Sequence, residues 1–416
     1  MLVNSYLICN FATQMTEHKI VNDPVFGFIK IPRGLLYDIV EHPMFQRLNR
    51  ISQLGLTSVV YPGARHTRFQ HSLGAFHLMT EAVRSLQEKG IYIFDSEAEA
   101  VQAAILMHDI GHGPFSHVLE NTLIKGISHE DISLMMMEDI NRDMHGQLSL
   151  AIKIFKNEYP NKIFHQLISS QLDMDRLDYL RRDSFYTGVT EGNIGSARII
   201  KMLNVKDEQL VVEAKGIYSI ENYLTTRRLM YWQVYLHKTT VGYEKILVNT
   251  LMRARQLAMQ GEEVFASPAL AYFLKNNVTF SENVLQTYAD LDDSDIWSAL
   301  KAWKYSEDKI LATLATDMLD RKLFKVEVTE SCPSDDYISS IAENIAHRMN
   351  IPEEDARHYM MSLTEIGKDM YNPEDDSIGI LYKDGSVRDI SEASEILNVQ
   401  LLSKKIRKYY LCYQRF

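Results

Sequence analysis

The run AAILMHDIGHGPFSH, residues 103–117, carries the strongest chemical signal in the sequence. Its apolar first part is typical of a buried helix, which ends at His108 and Asp109 before a glycine-rich turn. An imidazole and a carboxylate at one helix end can bind the same metal ion. This doublet supplies only part of a coordination shell, so a complete metal site needs side chains from elsewhere in the chain.

Two other segments could supply those side chains. His71 begins an amphipathic helix in HTRFQHSLG, and Asp175 lies in the carboxylate-rich segment SQLDMDRLDYLRRD. With the doublet they provide neutral and anionic ligands that would formally neutralise one divalent cation, which could be Mn, Mg, Fe, Ni, Co or Zn. A single histidine on a helix is more often a surface or hydrogen-bonded core residue, so the hypothesis depends on all three segments together.

The composition places this chemistry in a large globular protein. The chain has 416 residues, of which 46% are hydrophobic and 24% charged, so it can bury a large core and is neither disordered nor a small disulfide scaffold. The formal net charge of −11 argues against a dedicated nucleic-acid binder, although it does not exclude a local basic pocket.

The expected compartment is the cytoplasm. Cys9, Cys332 and Cys412 lie far apart and form no disulfide framework, which favours a reducing environment. No apolar stretch is long enough for a transmembrane helix, so no membrane partner is expected. Met15 precedes the first recognisable segment, which leaves open whether residues 1–14 belong to the native product.

Helices should position the candidate ligands. Between about residues 35 and 260, apolar residues recur every three or four positions, as expected for amphipathic helices. The proline-free segment 221–259 predicts one or two long helices. One hairpin is predicted among them, with the strand QLVVEA (209–214), a turn at Lys215-Gly216 and the strand IYSI (217–220).

Strand patterns dominate after residue 320. They are LFKVEV (323–328), SIGILY (377–382) turning at Lys383-Asp384-Gly385 into SVRDI (386–390), and KIRKYYLCYQ (405–414). We therefore predict a mainly α fold with a small C-terminal α+β lobe. The predicted parts are a tail (1–18), a helical domain with the metal site (19–265), a helical connector (266–320) containing the acidic stretch YADLDDSD, and the lobe (321–416).

The order of these motifs resembles the HD-domain phosphohydrolases, through RFQHSLG, HDIGHGPFSH and DMDRLDYLRRD. The sequence is most similar to their deoxynucleoside triphosphate triphosphohydrolase branch, which includes bacterial dGTPases and the animal SAM- and HD-domain dNTPase. KIVNDPVFGFIKI, FQRLNRISQLG, YPGARHTRFQHSLG and TRRLMYWQVYLHK also match, in the expected order. The likeness covers over half the chain and ends near residue 330.

The resemblance implies a metal site and a layer of catalytic side chains beside it. The implied metal ligands are His71, His108, Asp109 and Asp175. The implied catalytic side chains are His112 and His129, Glu120 where relatives often carry aspartate, and His117 as donor of a proton to the leaving 5′ oxygen. For His117, a helix N-terminal histidine that hydrogen bonds to the backbone is an equally good interpretation.

The resemblance also implies a nucleotide site. Arg68, Arg176 and Arg227 would bind phosphates, with Tyr179 beside them. Tyr235 would face the sugar, Gln53 and Asp183 would bind the 3′-hydroxyl, and Leu54 would disfavour a 2′-hydroxyl. Arg227, Tyr231, Tyr235 and Lys238 should share one helix face, which without the resemblance would indicate packing.

The predicted reaction is metal-dependent hydrolysis of a dNTP to a deoxynucleoside and triphosphate, with dGTP as a candidate substrate or activator. Two alternatives stay open: an HD-type phosphodiesterase or nucleotidase acting on another phosphorylated metabolite, and a catalytically weak nucleotide-sensing scaffold, which Glu120 favours. A homo-oligomer activated by a nucleotide is also expected by resemblance. Lys19 and Asn22 are candidates for its activator site.

Overall fold

The computed structural model describes residues 18–115, 117–124, 126–368, 371, 377–395 and 406–415. The side chains of His117, Glu120, Asn121, Lys368 and Ile406 lie outside this description. Helices make up most of the described chain, which confirms the mainly α fold. None of these helices is long and apolar enough to cross a membrane.

The helices of the body follow one another with short connections. In chain order they are α1 (Leu35–Glu41), α2 (Pro43–Gln46), α3 (Arg68–Glu88), α4 (Asp95–Met107), α5 (His117–Thr122), α6 (His129–Asp143), α7 (Ser149–Phe155), α8 (Ile163–Ile168), α9 (Met174–Thr187), α10 (Ser196–Met202), α11 (Ile217–Met230) and α12 (Lys238–Met259). Further along lie α13 (Pro268–Lys275), α14 (Glu282–Ala289), α15 (Asp293–Trp303), α16 (Lys309–Leu319), α17 (Asp335–Met349), α18 (Glu353–Tyr359) and α19 (Ile390–Ala393).

Helices α3 and α4 form the centre of the core. Helix α3 buries leucine, phenylalanine and methionine side chains, and it packs against α4, whose small residues Ala100, Ala103 and Ala104 are buried. Gln70 starts α3 by accepting a hydrogen bond from the amide of Thr67 at 2.9 Å, as in a capping box. Because the helices are antiparallel neighbours, the first turn of α3 lies beside the last turn of α4.

Helix α9 completes the framework of the site. Asp173 caps its N-terminus by accepting a hydrogen bond from the amide of Arg176 at 2.7 Å, and Gly188 ends it with a φ of 74°. The helix packs along α3. Asp175 therefore sits in the first turn of α9, beside the N-terminal turn of α3.

The segment predicted as one or two long helices contains two. Helix α11 passes into a π-helical turn at Tyr231–Tyr235, and α12 begins after His237, whose side chain accepts a hydrogen bond from the amide of Thr239. The predicted single face therefore does not continue to Lys238, because that residue opens the second helix.

The hairpin predicted at 209–220 is wrong in its second strand. Strand β4 (Gln209–Glu213) pairs with the preceding β3 (Leu203–Lys206), and residues from Ile217 onward are helical. The turn is formed by Asp207 and Glu208, which take φ values of 51° and 60° without being glycine. Gly216, expected in that turn, instead precedes α11.

The strands form small sheets. Strands β1 (His18–Asp23) and β2 (Gly27–Pro32) form an antiparallel hairpin. The second sheet has the order β3-β4-β7-β8, with β7 (Gly379–Leu381) and β8 (Val387–Asp389) as the predicted hairpin. The third sheet is antiparallel, with β9 (Ile406–Tyr413) between β5 (Lys325–Thr329) and β6 (Met361–Lys368).

All four predicted C-terminal strands are present. The strand patterns at 323–328, 377–382, 386–390 and 405–414 correspond to β5, β7, β8 and β9. Strands β1, β2, β3 and β6 were not predicted. The domain boundaries at 265 and 320 stay predictions, and the tail before His18 lies outside the described residues.

Candidate metal centre and cavity

His71 is the best-fixed side chain of the predicted metal site. It is fully buried, and its Nδ1 lies 2.7 Å from Oδ2 of Asp178. Its Nε2 lies 3.0 Å from Oδ1 of Asp175 and 3.3 Å from Nε2 of His108. Asp178 therefore fixes the imidazole on one side and leaves Nε2 directed at the other candidate ligands.

His108 and Asp109 lie at the C-terminal end of α4, next to His71. His108 places Nδ1 2.7 Å from the carbonyl oxygen of Ile105, so Nδ1 donates and the lone pair is on Nε2. Oxygens of Asp109 lie 3.4 Å from Nε2 of His108 and 3.7 Å from Nε2 of His71. Arg68 donates to Asp109 at 2.5 Å. Asp109 therefore contacts both the candidate metal ligands and the guanidinium group of Arg68.

This donor set fits a divalent metal ion. Ligand atoms of His71, His108 and Asp175 all lie within 4.8 Å of one another. Ligands about 2.1 Å from one ion are separated by roughly 3–4 Å, which is the spacing seen in this cluster. Imidazole and carboxylate donors suit first-row divalent ions, so the residues present match the expected cofactor, whose identity the donor types do not fix.

The electrostatics of the cluster agree with cation binding. Burial lowers the pKa of His71, but Asp175 and Asp178 outweigh burial and raise that pKa to about 10. Burial raises the pKa of Asp175, but hydrogen bonds from His108 and His71 hold it well below its usual range. The carboxylates therefore stay ionised, and a bound cation would replace protons on the imidazoles.

A buried ion-pair chain supports His71, and the sequence interpretation did not include it. Arg182 donates to both oxygens of Asp178, from Nε at 2.9 Å and from Nη2 at 3.0 Å, and its Nη1 donates to Asp23 at 2.7 Å. Asp178 and Arg182 are fully buried. The sequence signal for this pair was the i,i+4 spacing of Asp178 and Arg182, which places the two side chains on one helix face.

His112 and His129 lie together beside the cluster, as the resemblance implies. Their rings stack with centroids 3.9 Å apart at an interplanar angle of 17°. Nε2 of His112 lies 3.4 Å from Oδ1 of Asp109. Burial and the charge of Arg68 lower the pKa of His112 to about 3, so its imidazole is neutral at physiological pH. The predicted partners His117 and Glu120 have side chains outside the described residues.

The loop between Asp109 and His112 is fixed by one side chain inside the predicted helical domain, Arg47, and by one outside it, Tyr288. Arg47 donates from Nη1 to the carbonyl oxygens of Ile110, at 3.3 Å, and of His112, at 2.8 Å. The hydroxyl of Tyr288 donates to the carbonyl oxygen of Gly111 at 2.7 Å. Three successive carbonyl groups are thus satisfied by two buried side chains. Tyr288 belongs to the acidic stretch that was predicted only as a connector.

The next residues of that stretch contact the chain around Gln53. Asp293 accepts a hydrogen bond from the amide of Ser52 at 2.9 Å, and Asp292 accepts one from Arg50 at 2.5 Å. Arg47 Nε also donates to the carbonyl of Leu291 at 3.0 Å. The acidic stretch therefore contacts two segments that carry predicted site residues.

One cavity of about 780 Å³ collects most of the predicted side chains. Those on its lining are Gln53, Leu54, Arg68, Asp109, His112, His129, Asp175, Arg176, Tyr179, Asp183 and Tyr235. His71 and His108 lie behind this lining. The cavity is also lined by side chains that were not predicted, from the helix α12 and from strand β6.

Arg227 is not on the lining of this cavity. It is buried, and its Nη1 donates to Oε1 of Gln171 at 2.6 Å. Arg176 does line the cavity, and its Nε donates to the carbonyl of Ser170 and to Asp173. Lys19 is exposed on β1 and does not line the cavity either.

Asp183 is fixed at both carboxylate oxygens. Nε2 of His66 lies 2.7 Å from Oδ1, and the hydroxyl of Tyr235 donates to Oδ2 at 2.8 Å. His66 is buried and stacks on Tyr186 with centroids 4.4 Å apart. The main-chain N–H of Gln53 donates to the main-chain carbonyl oxygen of His66 at 3.0 Å. His66, which was not predicted, therefore links the two residues expected to bind the 3′-hydroxyl.

Comparisons with known proteins give the class of this protein. Residues 68–183 match the HD domain, and residues 194–398 match the HD associated region. The crystal structure of a phosphohydrolase from Bacteroides thetaiotaomicron superposes with a TM-score of 0.94 and is 64% identical, with 96% of this chain and 100% of that chain covered. The chain therefore belongs to the HD-domain phosphohydrolases.

Other relatives extend this comparison. The uncharacterised protein YwfO of Bacillus subtilis is 32% identical over 413 residues, which are 96% of this chain and 93% of YwfO. The human deoxynucleoside triphosphate triphosphohydrolase SAMHD1 is 30% identical over 280 residues, which are 57% of this chain and 44% of the human protein. This chain thus spans less than half of the human triphosphohydrolase.

Proposed function

We propose that this protein is a metal-dependent dNTP triphosphohydrolase, which converts a dNTP and water to a deoxynucleoside and triphosphate. The observation that carries the proposal is the cavity of about 780 Å³. It joins carboxylates of the metal cluster, the cations Arg68 and Arg176, and the Asp183–Tyr235 pair in one space. Ligand pockets of this size typically hold a molecule as large as a nucleotide. The name of the human relative supports the same reaction.

His71, His108, Asp109 and Asp175 would hold the metal ion. When bound, the ion supplies Lewis-acid stabilisation of phosphate charge and lowers the pKa of a water. Arg68 and Arg176 face the same space and provide fixed positive charge for a phosphate chain. His112 is a neutral imidazole next to Asp109, so its ring can take part in a hydrogen bond at the reacting end without carrying a charge.

The sugar end of the cavity favours a deoxyribose. Asp183 is already oriented by His66 and Tyr235, so its carboxylate can accept a hydrogen bond from a 3′-hydroxyl without reorganisation. Oε1 of Gln53 is buried without a hydrogen-bond partner among the described residues. Such an acceptor suits a sugar hydroxyl. Leu54 lines the cavity beside it and offers no partner to a 2′-hydroxyl, which would disfavour ribonucleotides.

One observation favours a second candidate function. Arg227, expected to bind a phosphate, is paired with Gln171 away from the cavity lining. With fewer cations available, a substrate carrying one phosphate would fit an HD-type nucleotidase or phosphodiesterase with the same metal residues. Such an enzyme releases orthophosphate or a monophosphate rather than triphosphate.

Product analysis separates these candidates. Each dNTP and NTP is incubated with Mn, Mg, Fe or Co, singly and mixed, and the phosphate products are separated by ion-exchange chromatography. We expect triphosphate from deoxynucleotides only and no product from Asp109→Ala. Asp290→Ala, which removes an exposed aspartate, is the matched control and should keep full activity. Orthophosphate release, or equal use of ribonucleotides, would refute the triphosphohydrolase.

The assembly is also part of the proposal. A homo-oligomer activated by a nucleotide is inferred from the resemblance, and Lys19 and Asn22 are exposed on β1, where a second subunit could reach them. Sedimentation with and without dGTP tests this inference. A monomer under both conditions would contradict it.

A further inference from the structure

The C-terminal region supplies one wall of the cavity. Along β6 the exposure alternates, so that Ser362, Thr364 and Ile366 are half-buried while Leu363, Glu365 and Gly367 are exposed. Thr364 and Ile366 line the cavity, as do Glu244 and Lys245 of α12. The strand therefore presents one hydroxyl and one apolar side chain to the space that contains the metal residues.

This wall is fixed against the helical body by specific bonds. Nδ2 of Asn249 in α12 donates to the carbonyl oxygens of Tyr359, at 2.8 Å, and of Met361, at 3.3 Å, at the start of β6. On the neighbouring strand β9, the hydroxyl of Tyr410 donates to the carbonyl of Leu236 at 3.1 Å. β6 therefore has a defined position relative to α12.

The wall lies next to the proposed sugar site. Tyr410 is opposite Thr364 in the register of β9 and β6. Tyr410 bonds to Leu236, and Leu236 follows Tyr235, which in turn donates to Asp183. Thr364 is thus connected to the sugar-binding pair through one strand pairing, one hydrogen bond to Leu236, the peptide bond between Leu236 and Tyr235, and one hydrogen bond to Asp183.

Charge on this wall comes from Lys245. The ammonium group forms no ion pair with any residue that the structure describes, although it lines the cavity. It lies close enough to Cys412 in β9 to oppose the burial that raises the pKa of that thiol to about 12. Lys245 therefore stands beside the C-terminal sheet with donor capacity directed at the cavity.

We infer that Lys245 and Thr364 determine base specificity, with Ile366 packing on the base, and that they select bases with a carbonyl group on the pairing edge. This inference rests on the proposed function. The metal residues and arginines occupy one end of the cavity and Asp183 the sugar position, so the base faces the wall of α12 and β6. An ammonium donor pairs with guanine O6 or thymine O4, whereas adenine and cytosine present an amino group at that position.

Glu244 strengthens this preference. Its carboxylate is on the same wall and can accept a hydrogen bond from a ring N–H. Guanine has such a group at N1 and thymine at N3, while adenine and cytosine have unprotonated ring nitrogens there. A donor and an acceptor on the same wall therefore complement the two carbonyl bases.

A competition experiment tests the inference on the full-length protein. An equimolar mixture of dGTP, dTTP, dATP and dCTP is hydrolysed with Mn, and the four deoxynucleosides and the released triphosphate are quantified by chromatography. Lys245→Met keeps the side-chain length and removes the charge, and Thr364→Val keeps the shape and removes the hydroxyl. Lys275→Met, at the exposed end of α13, is the matched control.

The expected result is a change in product ratio. The yield of deoxyguanosine and thymidine relative to deoxyadenosine and deoxycytidine should fall about tenfold in Lys245→Met and about threefold in Thr364→Val. Lys275→Met should leave the ratio unchanged. Thr364→Val gives an independent answer if Lys245→Met fails to fold.

Two failures can be distinguished. Triphosphate release with unchanged base ratios in both variants would overturn the assignment of the wall and leave the proposed function standing. Orthophosphate as the product, or no hydrolysis of any dNTP by the unmodified protein, would overturn the proposed function and the base assignment with it.

Discussion

Asp178 holds His71 at 2.7 Å through the nitrogen that faces away from the candidate metal ligands. The same carboxylate accepts hydrogen bonds from Arg182, which in turn binds Asp23 on the N-terminal hairpin. The orientation of His71 thus depends on a chain of buried charges that reaches from α9 to β1. Buried ion pairs of this kind are costly to break because the remaining partner is left unpaired.

Asp178→Asn should weaken metal binding by about tenfold to a hundredfold, because the amide keeps the shape but loses the charge that orients the imidazole. Isothermal titration with Mn measures this change. Asp139→Asn, which removes the partner of Arg142 on the exposed face of α6, should bind Mn like the unmodified protein. Equal affinities in all three proteins would show that Asp178 does not orient His71.

Gly74→Ala should disrupt the same network by crowding. A Cβ at this position would lie 1.9 Å from Oδ1 of Asp178 and 2.1 Å from Nη2 of Arg182. We expect a loss of about 3 kcal/mol or more in the free energy of unfolding, measured by urea denaturation, together with loss of Mn binding. Gly195→Ala is the control, because its Cβ would meet only Cβ of Arg198 at 4.0 Å and its stability should change little.

Local motifs predicted the parts of the site that are contiguous in sequence, and distance in sequence hid the rest. His108 and Asp109 were found because a helix end and a glycine-rich turn are local features. His66 and Tyr288 were missed because their partners Asp183 and Gly111 are 117 and 177 residues away. No pattern within one segment reports such contacts.

The errors in the fold have equally specific causes. The hairpin at 209–220 was assigned to the wrong partner because Lys215-Gly216 has the composition of a turn, whereas the true turn, Asp207-Glu208, adopts left-handed conformations without glycine. Helix patterns with clear periodicity, such as that of α3, were predicted correctly because burial of one face imposes that periodicity.

Tyr288→Phe should reduce kcat about tenfold and leave KM within about twofold, because the hydroxyl fixes the loop that carries His112 without lining the cavity. The free energy of unfolding should fall by only about 1 kcal/mol. Steady-state kinetics of triphosphate release and urea denaturation measure the two effects.

The control for this variant is Tyr243→Phe. The hydroxyl of Tyr243 also donates to a main-chain carbonyl, that of Met318, at 2.6 Å. Tyr243→Phe should lose a similar free energy of unfolding and keep the kcat of the unmodified protein. An equal fall in kcat in both variants would mean that general destabilisation, rather than the position of the loop, limits activity.

Asp317→Asn should be more stable than the unmodified protein, and this gain should be larger at pH 7.5 than at pH 4.5. Burial raises the pKa of Asp317 to about 6 from a usual value of 3.8, although a hydrogen bond from Gln414 acts in the opposite direction. Between pH 3.8 and about pH 6, the folded state therefore keeps a proton on Asp317 that the unfolded state has lost. Stability of the unmodified protein falls as pH rises through this window, and the deficit persists above it.

Removing the carboxylate removes this deficit, so Asp317→Asn should gain about 1–3 kcal/mol at pH 7.5 and distinctly less at pH 4.5. Urea denaturation at both pH values measures the difference from the unmodified protein. Asp290→Asn changes an exposed aspartate that does not act on Asp317, and it should show no such pH dependence. The same gain for Asp317→Asn at both pH values would show that the buried carboxyl does not titrate between them.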